Sequence, residues 1–199
     1  MTSPSSFTSI DAYVARCISL SEADFAYFHS QLTVKQYKKK SRLLSAGEIC
    51  NFEAFINKGC CRVYYLNEKG NEVDLYFGIE EWWVSDMASF SQQKPSNLFI
   101  ETLEDTELIL ISYEAKERLF NRIPAFERMF RLMIQRTHET LMKRLISSFS
   151  EPAEDRYLTF LAKYPAIVQR VPQHLIAAYL GITPEFLSKI RSKLKTQNR

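Results

Sequence analysis

The spacing of hydrophobic positions changes near Pro124. Residues 34–112 contain short runs rich in aromatic and β-branched side chains, bounded by turn residues, which is typical of β-strands. The clearest runs are CCRVYYL and EVDLYFGI, and the short connection between them contains Gly70, which predicts a hairpin. LFIETL and ELILIS are two further strand candidates. We therefore expect a compact β-sandwich or β-roll, preceded by a short helix over residues 21–31.

After Pro124 the apolar residues recur with the period of an α-helix, which predicts a helix of about 25 residues ending at Glu151-Pro152. Its apolar positions are Phe126, Phe130, Met133, Leu141, Leu145 and Phe149, widened by Met129, Ile134, Met142 and Ile146. This surface extends over more than one face of the helix. One face is expected on the β-roll and the other on a second copy of the helix, with a purely intramolecular interface as the alternative. The predicted dimer contacts are Phe130, Met133, Leu141 and Leu145.

Residues 173–194, QHLIAAYLGITPEFLSKIRSKL, carry the pattern of a helix-turn-helix. This motif needs a small residue where its helices touch, a glycine in the turn and apolar residues at inward positions. Ala177 supplies the first and Gly181 the second. The predicted interior consists of Ile176, Leu180, Ile182, Leu187 and Ile190. Thr183 is expected to cap the second helix, and Pro184 suits its first turn. An ordinary helical hairpin is the alternative.

A helical step of about 100° per residue turns one face of the second helix away from this interior. That face is predicted to carry Glu185, Ser188, Lys189, Ser192 and Lys193. In a major groove, Lys189 would donate to guanine and Glu185 would accept from cytosine, while the serines are adaptable. Thr183 and Gln173, with the N-termini of both helices, are expected to hold phosphates. For each residue taken singly, a solvated helix face is the competing interpretation.

Charge is unevenly distributed along the chain. Residues 143–199 contain ten basic and four acidic residues, a net charge of +6, so residues 1–142 contribute −3 to the total of +3. A basic C-terminal region favours a polyanionic partner such as double-stranded DNA. No apolar run approaches the roughly 18 residues that cross a bilayer. The N-terminus also lacks the features of a secretory signal, so we expect a cytoplasmic protein with no membrane partner.

Patterns for catalysis and metal binding are missing from the sequence. It has no CxxC, no Gly-rich phosphate loop and no Ser, His and Asp arrangement, so an enzyme such as a thiol-based oxidoreductase has little support. His29, His138 and His174 are scattered and predict no metal site. Four cysteines without the spacing of a disulfide framework are expected to be reduced thiols: Cys17, Cys50, Cys60 and Cys61.

A β-roll, a long helix and a C-terminal helix-turn-helix, in this order over nearly the whole chain, resemble the Crp/Fnr family of bacterial transcription regulators. The segment LGITPEFLSKIRSKL is especially similar to the Crp/Fnr-type regulators of Bacteroidetes. The resemblance implies an α+β fold with a cyclic nucleotide-binding-like β-roll (residues 1–123), a dimerisation helix (124–150) and a winged helix-turn-helix (151–199). It also implies a homodimer that reads a palindromic DNA site, with RNA polymerase as a further partner.

The DNA-binding region departs from the family in two ways. The family's base-reading triad of Arg, Glu and Arg is matched here by Pro184, Glu185 and Lys189. One guanine reader is therefore absent, and the target site should differ from the best-known site of the family. The segment between Tyr164 and Val171 is short, and only about five residues follow Leu194. The wing after the recognition helix is therefore expected to be short or missing.

The sensor region also departs from the family, whose pocket uses a Gly-Glu pair for the ribose and an Arg for the cyclic phosphate. Alignment backward from ELILISY places Ser85-Asp86 at the pair and Ser96 at the Arg, with Lys94 a poor substitute two residues away. We therefore expect no cyclic AMP binding and no cofactor. The candidate effector pocket comprises Trp82, Trp83, Ser85, Asp86, Ser96 and Asn97.

Two interpretations of this aromatic region stay open: a pocket for an uncharacterised effector, or side chains that fill the core. The cysteines lack the clustered N-terminal spacing of the family's iron–sulfur members, and thiol redox sensing is a weaker alternative. The sequence thus predicts a homodimeric, sequence-specific DNA-binding regulator. The competing hypothesis is a small-molecule-binding or protein-interaction module whose helix-turn-helix no longer binds DNA.

Overall fold

The computed structural model describes residues 4–197 of the chain. Its N-terminal part is a β-roll built from two four-stranded antiparallel sheets. The strands are β1 (Thr33–Tyr37), β2 (Arg42–Leu44), β3 (Phe52–Lys58), β4 (Cys61–Leu66), β5 (Glu72–Gly78), β6 (Trp83–Val84), β7 (Phe99–Thr102) and β8 (Thr106–Ser112). One sheet has the order β1-β8-β3-β6 and the other β2-β7-β4-β5.

Helices precede the roll, interrupt it and follow it. After a 3₁₀ turn (Pro4–Phe7) come α1 (Thr8–Ala15), α2 (Glu22–Ser30), α3 (Met87–Gln92), α4 (Tyr113–Arg122), α5 (Ala125–Ser150), α6 (Ala153–Lys163), α7 (Pro165–Arg170), α8 (Gln173–Leu180) and α9 (Pro184–Gln197). The predicted α+β order of β-roll, long helix and C-terminal helices is confirmed. Within residues 151–197 the structure contains helices and no strand, so this described part forms no wing.

β4 and β5 form the hairpin that their alternating pattern predicts. In its turn, the Asn67 side chain accepts hydrogen bonds from the backbone N–H groups of Lys69 and Asn71, each at 3.0 Å. Gly70 adopts a φ of +76°, in the left-handed region that favours glycine. The local sequence therefore fixes both the turn and the register of the strands beside it.

β7 and β8 are close in sequence but belong to opposite sheets. β7 pairs with β2 and β4, whereas β8 pairs with β1 and β3, so the chain crosses between the sheets at residues 103–105. Gly59, between β3 and β4, lies against this crossing with a φ of +110°. A Cβ atom on Gly59 would lie 2.7 Å from the Thr106 Cα. Glycine is therefore required for the close approach of the two segments.

Two apolar clusters hold the N-terminal part together. One lies between the two sheets, and the other joins α1, α2, α4 and the first half of α5 to the sheet that contains β3 and β8. Phe130 of α5 is 3% exposed in the second cluster, where its ring centroid lies 5.5 Å from that of Trp83 and 5.4 Å from that of Phe120. The prediction that Phe130 contacts a second copy is therefore corrected, because its surface is already covered by its own roll.

The long helix predicted after Pro124 is confirmed as α5, which has 26 residues. Its first half is buried on the roll, and Met133 packs at the edge of that cluster. In its second half Leu141, Leu145 and Phe149 are 49%, 46% and 84% exposed. Among residues 4–197, no helix combines the length and the apolar composition that crossing a bilayer requires. The second half of α5 thus presents apolar side chains that the other described residues cover only in part.

The C-terminal helices pack on the roll through a third apolar cluster. Phe77 of β5 and Cys60 contribute from the roll, and Phe160 of α6 contributes from the helices. Arg170, at the end of α7, donates to Glu80 with 2.7 Å between Nη1 and Oε2, and it also binds Glu104. The roll and the C-terminal helices therefore share one core, which fixes the position of α8 against β5.

Candidate DNA-binding face and sensor region

α8 and α9 form a helix-turn-helix around a tightly packed contact. Ala177 is fully buried, and the Ile182 N–H donates to its carbonyl oxygen at 3.0 Å. Gly181 ends α8 in the left-handed conformation, with a φ of 69°. The side chains of Ile176, Leu180, Leu187 and Ile190 are at most 8% exposed, and Ile182 is partly buried. These are the positions that the sequence predicts for the interior.

The first turn of α9 is capped as its sequence indicates. The Thr183 hydroxyl accepts a hydrogen bond from the Phe186 N–H at 3.2 Å. Pro184 is the first residue of the helix, where a missing N–H group costs nothing. Phe186 itself is 48% exposed and lies outside the set of residues predicted to bind DNA. The N-terminus of α9 is therefore well defined and open to solvent.

The residues predicted to face DNA lie on the solvent side of α9. Glu185, Ser188, Lys189, Ser192 and Lys193 are all exposed. Lys193 differs from the others, because its ammonium group lies 2.7 Å from a carboxylate oxygen of Glu154 in α6. Gln173, predicted to hold a phosphate, is the first residue of α8 and is partly buried. Lys189 thus carries an unshared positive charge at the centre of this face, within the described residues.

The structure does not bring the six predicted pocket residues into one site. Trp83 faces the roll and α5, with ring centroids 5.5 Å from both Phe55 and Phe130. Trp82 faces the C-terminal helices, 5.9 Å from the ring centroid of Tyr164. Asn97 is exposed on the loop that leads to β7. The two tryptophans therefore belong to two different apolar clusters.

Ser85, Asp86 and Ser96 do lie together, but they bind one another and the backbone. Asp86 caps α3 by accepting from the Ala88 N–H at 3.0 Å. Ser96 Oγ donates to Asp86 Oδ2 at 2.6 Å, and Ser85 Oγ donates to the Phe52 carbonyl at 3.0 Å. Each of these side chains is at most 8% exposed. The polar atoms of Asp86 and Ser96 are thus used within the loop and that of Ser85 on the backbone of β3, and none of the three side chains is a cation.

Trp82 also borders a cavity of about 50 Å³ between β5, α5 and the C-terminal helices. The other lining residues include Leu75, Tyr76, Leu141, Arg144 and Tyr179. A volume of this size holds one or two water molecules rather than a nucleotide. Aromatic side chains, among them Tyr76, Phe160 and Tyr179, line this small cavity together with Trp82.

Arg144 of α5 is a contact residue outside the set predicted from the sequence. Its guanidinium donates to the carbonyl oxygens of Leu75 and Asp74 in β5 and, at 2.7 Å, to that of Tyr179 in α8. It also lies 3.8 Å from the ring centroid of Tyr179. Burial lowers the pKa of Arg144, and the carbonyl oxygens replace its lost water. No spacing along α5 separates this arginine from its solvated neighbours, so the sequence carried no signal for it.

The four cysteines are free thiols, and the thiols of Cys60 and Cys61 have low reactivity. Burial raises the pKa of the Cys60 thiol to about 12 and raises that of Cys61 as well. Cys60 lies in the cluster shared with the C-terminal helices, whereas Cys61 lies between the sheets. Both therefore stay protonated and weakly nucleophilic. In the part of the chain that the structure describes, no group of three or more His, Cys, Asp or Glu side chains is arranged to hold a metal ion.

Comparisons with known proteins agree with this architecture. Residues 34–123 match the cyclic nucleotide-binding domain family. Comparison with curated protein sequences finds no match. The c-di-GMP-responsive global regulator CLP of Xanthomonas campestris has a solved structure that is 18% identical, with a TM-score of 0.71 over 89% of this chain and 93% of that one.

Two further solved structures are similar over most of their length. FixK2 from Bradyrhizobium japonicum is 19% identical, with a TM-score of 0.71 over 84% of this chain and 86% of that one. A protein from Eubacterium rectale, assigned to the Crp/Fnr family of transcriptional regulators, is 18% identical, with a TM-score of 0.69 over 89% and 85%. Residues 34–123 thus match the cyclic nucleotide-binding domain family, and the chain has the fold of these solved transcription regulators.

Proposed function

We propose that this protein is a homodimeric transcription regulator that binds a palindromic DNA site through α8 and α9. The proposal divides the chain into a sensor domain (residues 1–123), a dimerisation helix (124–150) and a DNA-binding domain (151–199). It is a binding protein rather than an enzyme. The proposal includes RNA polymerase as a further partner and the cytoplasm as the location.

The observation that carries this proposal is that the helix-turn-helix buries its apolar side chains between α8 and α9 and exposes polar side chains on the outer face of α9. Ala177 and Gly181 allow the two helices to cross closely, and Thr183 fixes the start of α9. The same geometry leaves Glu185 and Lys189 exposed to solvent, beside the half-exposed Phe186. A helix with its inward face buried and its outward face polar suits insertion into a major groove.

Dimerisation is supported by the apolar second half of α5. Leu141 and Leu145 are both about half exposed, and Met142, Ile146 and Phe149 extend the same surface. A contiguous apolar surface of this kind on a helix is favourable only when a partner covers it. A second copy related by a two-fold axis would place two recognition helices about one turn of DNA apart.

Cyclic AMP is not the expected effector. Its phosphate needs a fixed cation, and Ser96, at the matching position, donates its hydroxyl to Asp86. Asp86 in turn caps α3, so the two side chains already bind each other inside the loop. The sensor domain therefore either responds to a ligand of different chemistry or leaves DNA binding independent of an effector.

A selection from random DNA tests the proposal. The full chain, without added ligand, should enrich a palindromic sequence whose half-sites are about one helical turn apart. The double variant Glu185→Ala/Lys189→Ala alters only exposed side chains and should lose the enrichment while keeping its folded circular dichroism spectrum. If the wild type enriches no sequence, the chain instead fits a small-molecule-binding or protein-interaction module.

A further inference from the structure

Phe186 is an aromatic side chain that the helix-turn-helix leaves in solvent. It is 48% exposed, although its neighbours Leu187 and Ile190 are buried. Both neighbours belong to the apolar cluster that joins the C-terminal helices to the roll, and Phe186 lies outside that cluster. Removing apolar surface from water is favourable, so an exposed phenyl ring gains stability only when a partner covers it. About half of Phe186 is therefore available to a binding partner.

The backbone that carries Phe186 is fixed before any partner binds. Phe186 is the third residue of α9, and its N–H donates to Thr183 Oγ1 at 3.2 Å. Pro184, two residues earlier, has a φ angle locked by its ring. A side chain on such a preorganised backbone loses little conformational freedom when it is covered by a partner. The first turn of α9 thus holds the phenyl ring at a defined place on the helix.

Phe186 shares a side of α9 with two exposed lysines, Lys189 and Lys193. With 3.6 residues per turn, these positions lie about 60° and about 20° from Phe186 around the helix axis. Glu185, the other predicted base reader, directly precedes Phe186. The N-terminal residues of a recognition helix are those that contact base edges in the major groove. In the proposed complex, Phe186 therefore lies beside Glu185 and Lys189 at the end of α9 that meets the bases.

We propose that Phe186 reads one thymine in each half-site by packing its phenyl ring against the C5-methyl group in the major groove. This inference rests on the proposed DNA-binding function and adds a specificity-determining residue to it. A phenyl ring has no hydrogen-bonding group, and the thymine methyl is the apolar group that base pairs present in the major groove. Cytosine carries no methyl group at this position. The contact therefore selects a thymine through burial of apolar surface, next to the polar contacts of Glu185 and Lys189.

Deoxyuridine tests the proposal, because it pairs as thymidine does and lacks only the methyl group. Each thymine of the selected palindrome is replaced in turn, at the equivalent position of both half-sites, and the affinity of the full chain is measured. At one position the wild type should bind about tenfold more weakly or worse, since each lost methyl contact costs about fourfold. Phe186→Ala should bind the thymine and deoxyuridine palindromes equally at that position.

Two further variants separate a methyl contact from a general loss of apolar surface. Phe186→Leu keeps an apolar side chain and should retain part of the discrimination, so it serves even if Phe186→Ala binds too weakly to compare. Leu158→Ala, at an exposed position of α6, is the matched control and should discriminate as the wild type does.

Three results would overturn this role of Phe186. They are a selected half-site without thymine, a wild type that binds the thymine and deoxyuridine palindromes equally at every position, and a Phe186→Ala variant that still distinguishes them. In each case the wild type binds its palindrome, so the DNA-binding function stands. A wild type that binds no palindrome overturns the DNA-binding function itself, and Phe186 loses its role with it.

Discussion

Asp74 on β5 is a carboxyl group held in an unusual environment. It is 0% exposed, and neither carboxylate oxygen has a hydrogen-bond donor among the described residues. The nearest cation is the guanidinium of Arg62, 3.7 Å away, which also binds Glu72. Burial raises the pKa of Asp74 to about 7, and the positive charge of Arg62 opposes that rise only in part. The side chain is thus protonated in the folded protein at pH values where a solvated aspartate is charged.

This raised pKa predicts that stability falls as the pH rises. An unfolded aspartate titrates near 3.9, so between about pH 4 and pH 7 the folded state holds a proton that the unfolded state has released. The free energy of unfolding should therefore decrease across this window. Asp74→Asn removes the titration and should be more stable than the wild type at pH 8 by about 1–4 kcal/mol, with a clearly smaller gain at pH 5.

Urea unfolding at pH 5 and pH 8 measures this difference. Asp155→Asn, at an exposed position on α6, is the matched control and should shift stability equally little at both pH values. An Asp74→Asn variant that is destabilised at pH 8, or whose effect is the same at both pH values, would contradict the assignment.

Lys189 is the residue on α9 from which we expect the strongest base contact. Lys189→Ala should weaken binding to the selected palindrome by about 1–3 kcal/mol and relax the preference at one base pair per half-site. Lys193→Ala, on the same helix, is the control and should cost less, because Glu154 already shares the charge of Lys193. Titration of both variants against the palindrome and its single-base-pair changes gives the comparison. If Lys189→Ala keeps the wild-type affinity for the palindrome and the wild-type base-pair preference, another residue makes the base contact.

At the scale of the elements, the exposed half of α5 predicts the oligomeric state. Leu141→Asp places a charge in the apolar surface and should yield monomers in sedimentation experiments, since an unpaired carboxylate is costly to bury. Leu66→Asp changes an equally exposed leucine on β4, and that variant should remain a dimer. A dimer that persists in Leu141→Asp would place the interface on another surface.

Some elements were predictable from local pattern and others were not. The period of the apolar residues was enough for α5, and Gly181 with Thr183 was enough for the turn before α9, because caps and turns are local interactions. The separation of β7 and β8 into opposite sheets depends on contacts between distant segments. The location of Phe130 also depends on distant contacts, because its position on α5 is compatible with either a dimer interface or packing on the roll. Only the packing of Trp83 and Phe120 decides between them.

Some residues of the candidate site could likewise be predicted from local pattern, and others could not. The exposed face of α9 follows from helix geometry once Leu187 and Ile190 are turned inward. The positions of the pocket residues could not be predicted from their spacing in the sequence. Trp82 and Trp83 are consecutive residues where β6 begins, yet they pack into two different apolar clusters. Arg144 was missed for a related reason. A charged residue in a helix is normally solvated, and only tertiary structure shows when backbone carbonyls replace the water.

At the scale of the whole molecule, Arg144 connects the three parts of the chain. It belongs to α5, and its guanidinium binds carbonyl oxygens in β5 of the roll and in α8 of the helix-turn-helix. The apolar cluster that contains Phe77 and Phe160 lies beside this contact. A change in the roll that moves β5 must therefore either carry α8 with it or break the contacts of Arg144. The arginine thus gives the roll a direct mechanical connection to the helix-turn-helix.

The last prediction concerns this connection. Lysine keeps the charge at position 144 but lacks the planar fork that reaches several carbonyl groups and stacks on Tyr179, so Arg144→Lys should lower the free energy of unfolding by about 2–4 kcal/mol. Backbone amides of β5 and α8 should exchange hydrogen faster in native conditions, whereas those of β1 and β8 should keep their wild-type rates. Arg136→Lys, at an exposed position of the same helix, is the matched control and should change neither quantity. If the exchange rates of β5 and α8 stay at wild-type values, the two segments are held together by the apolar cluster alone.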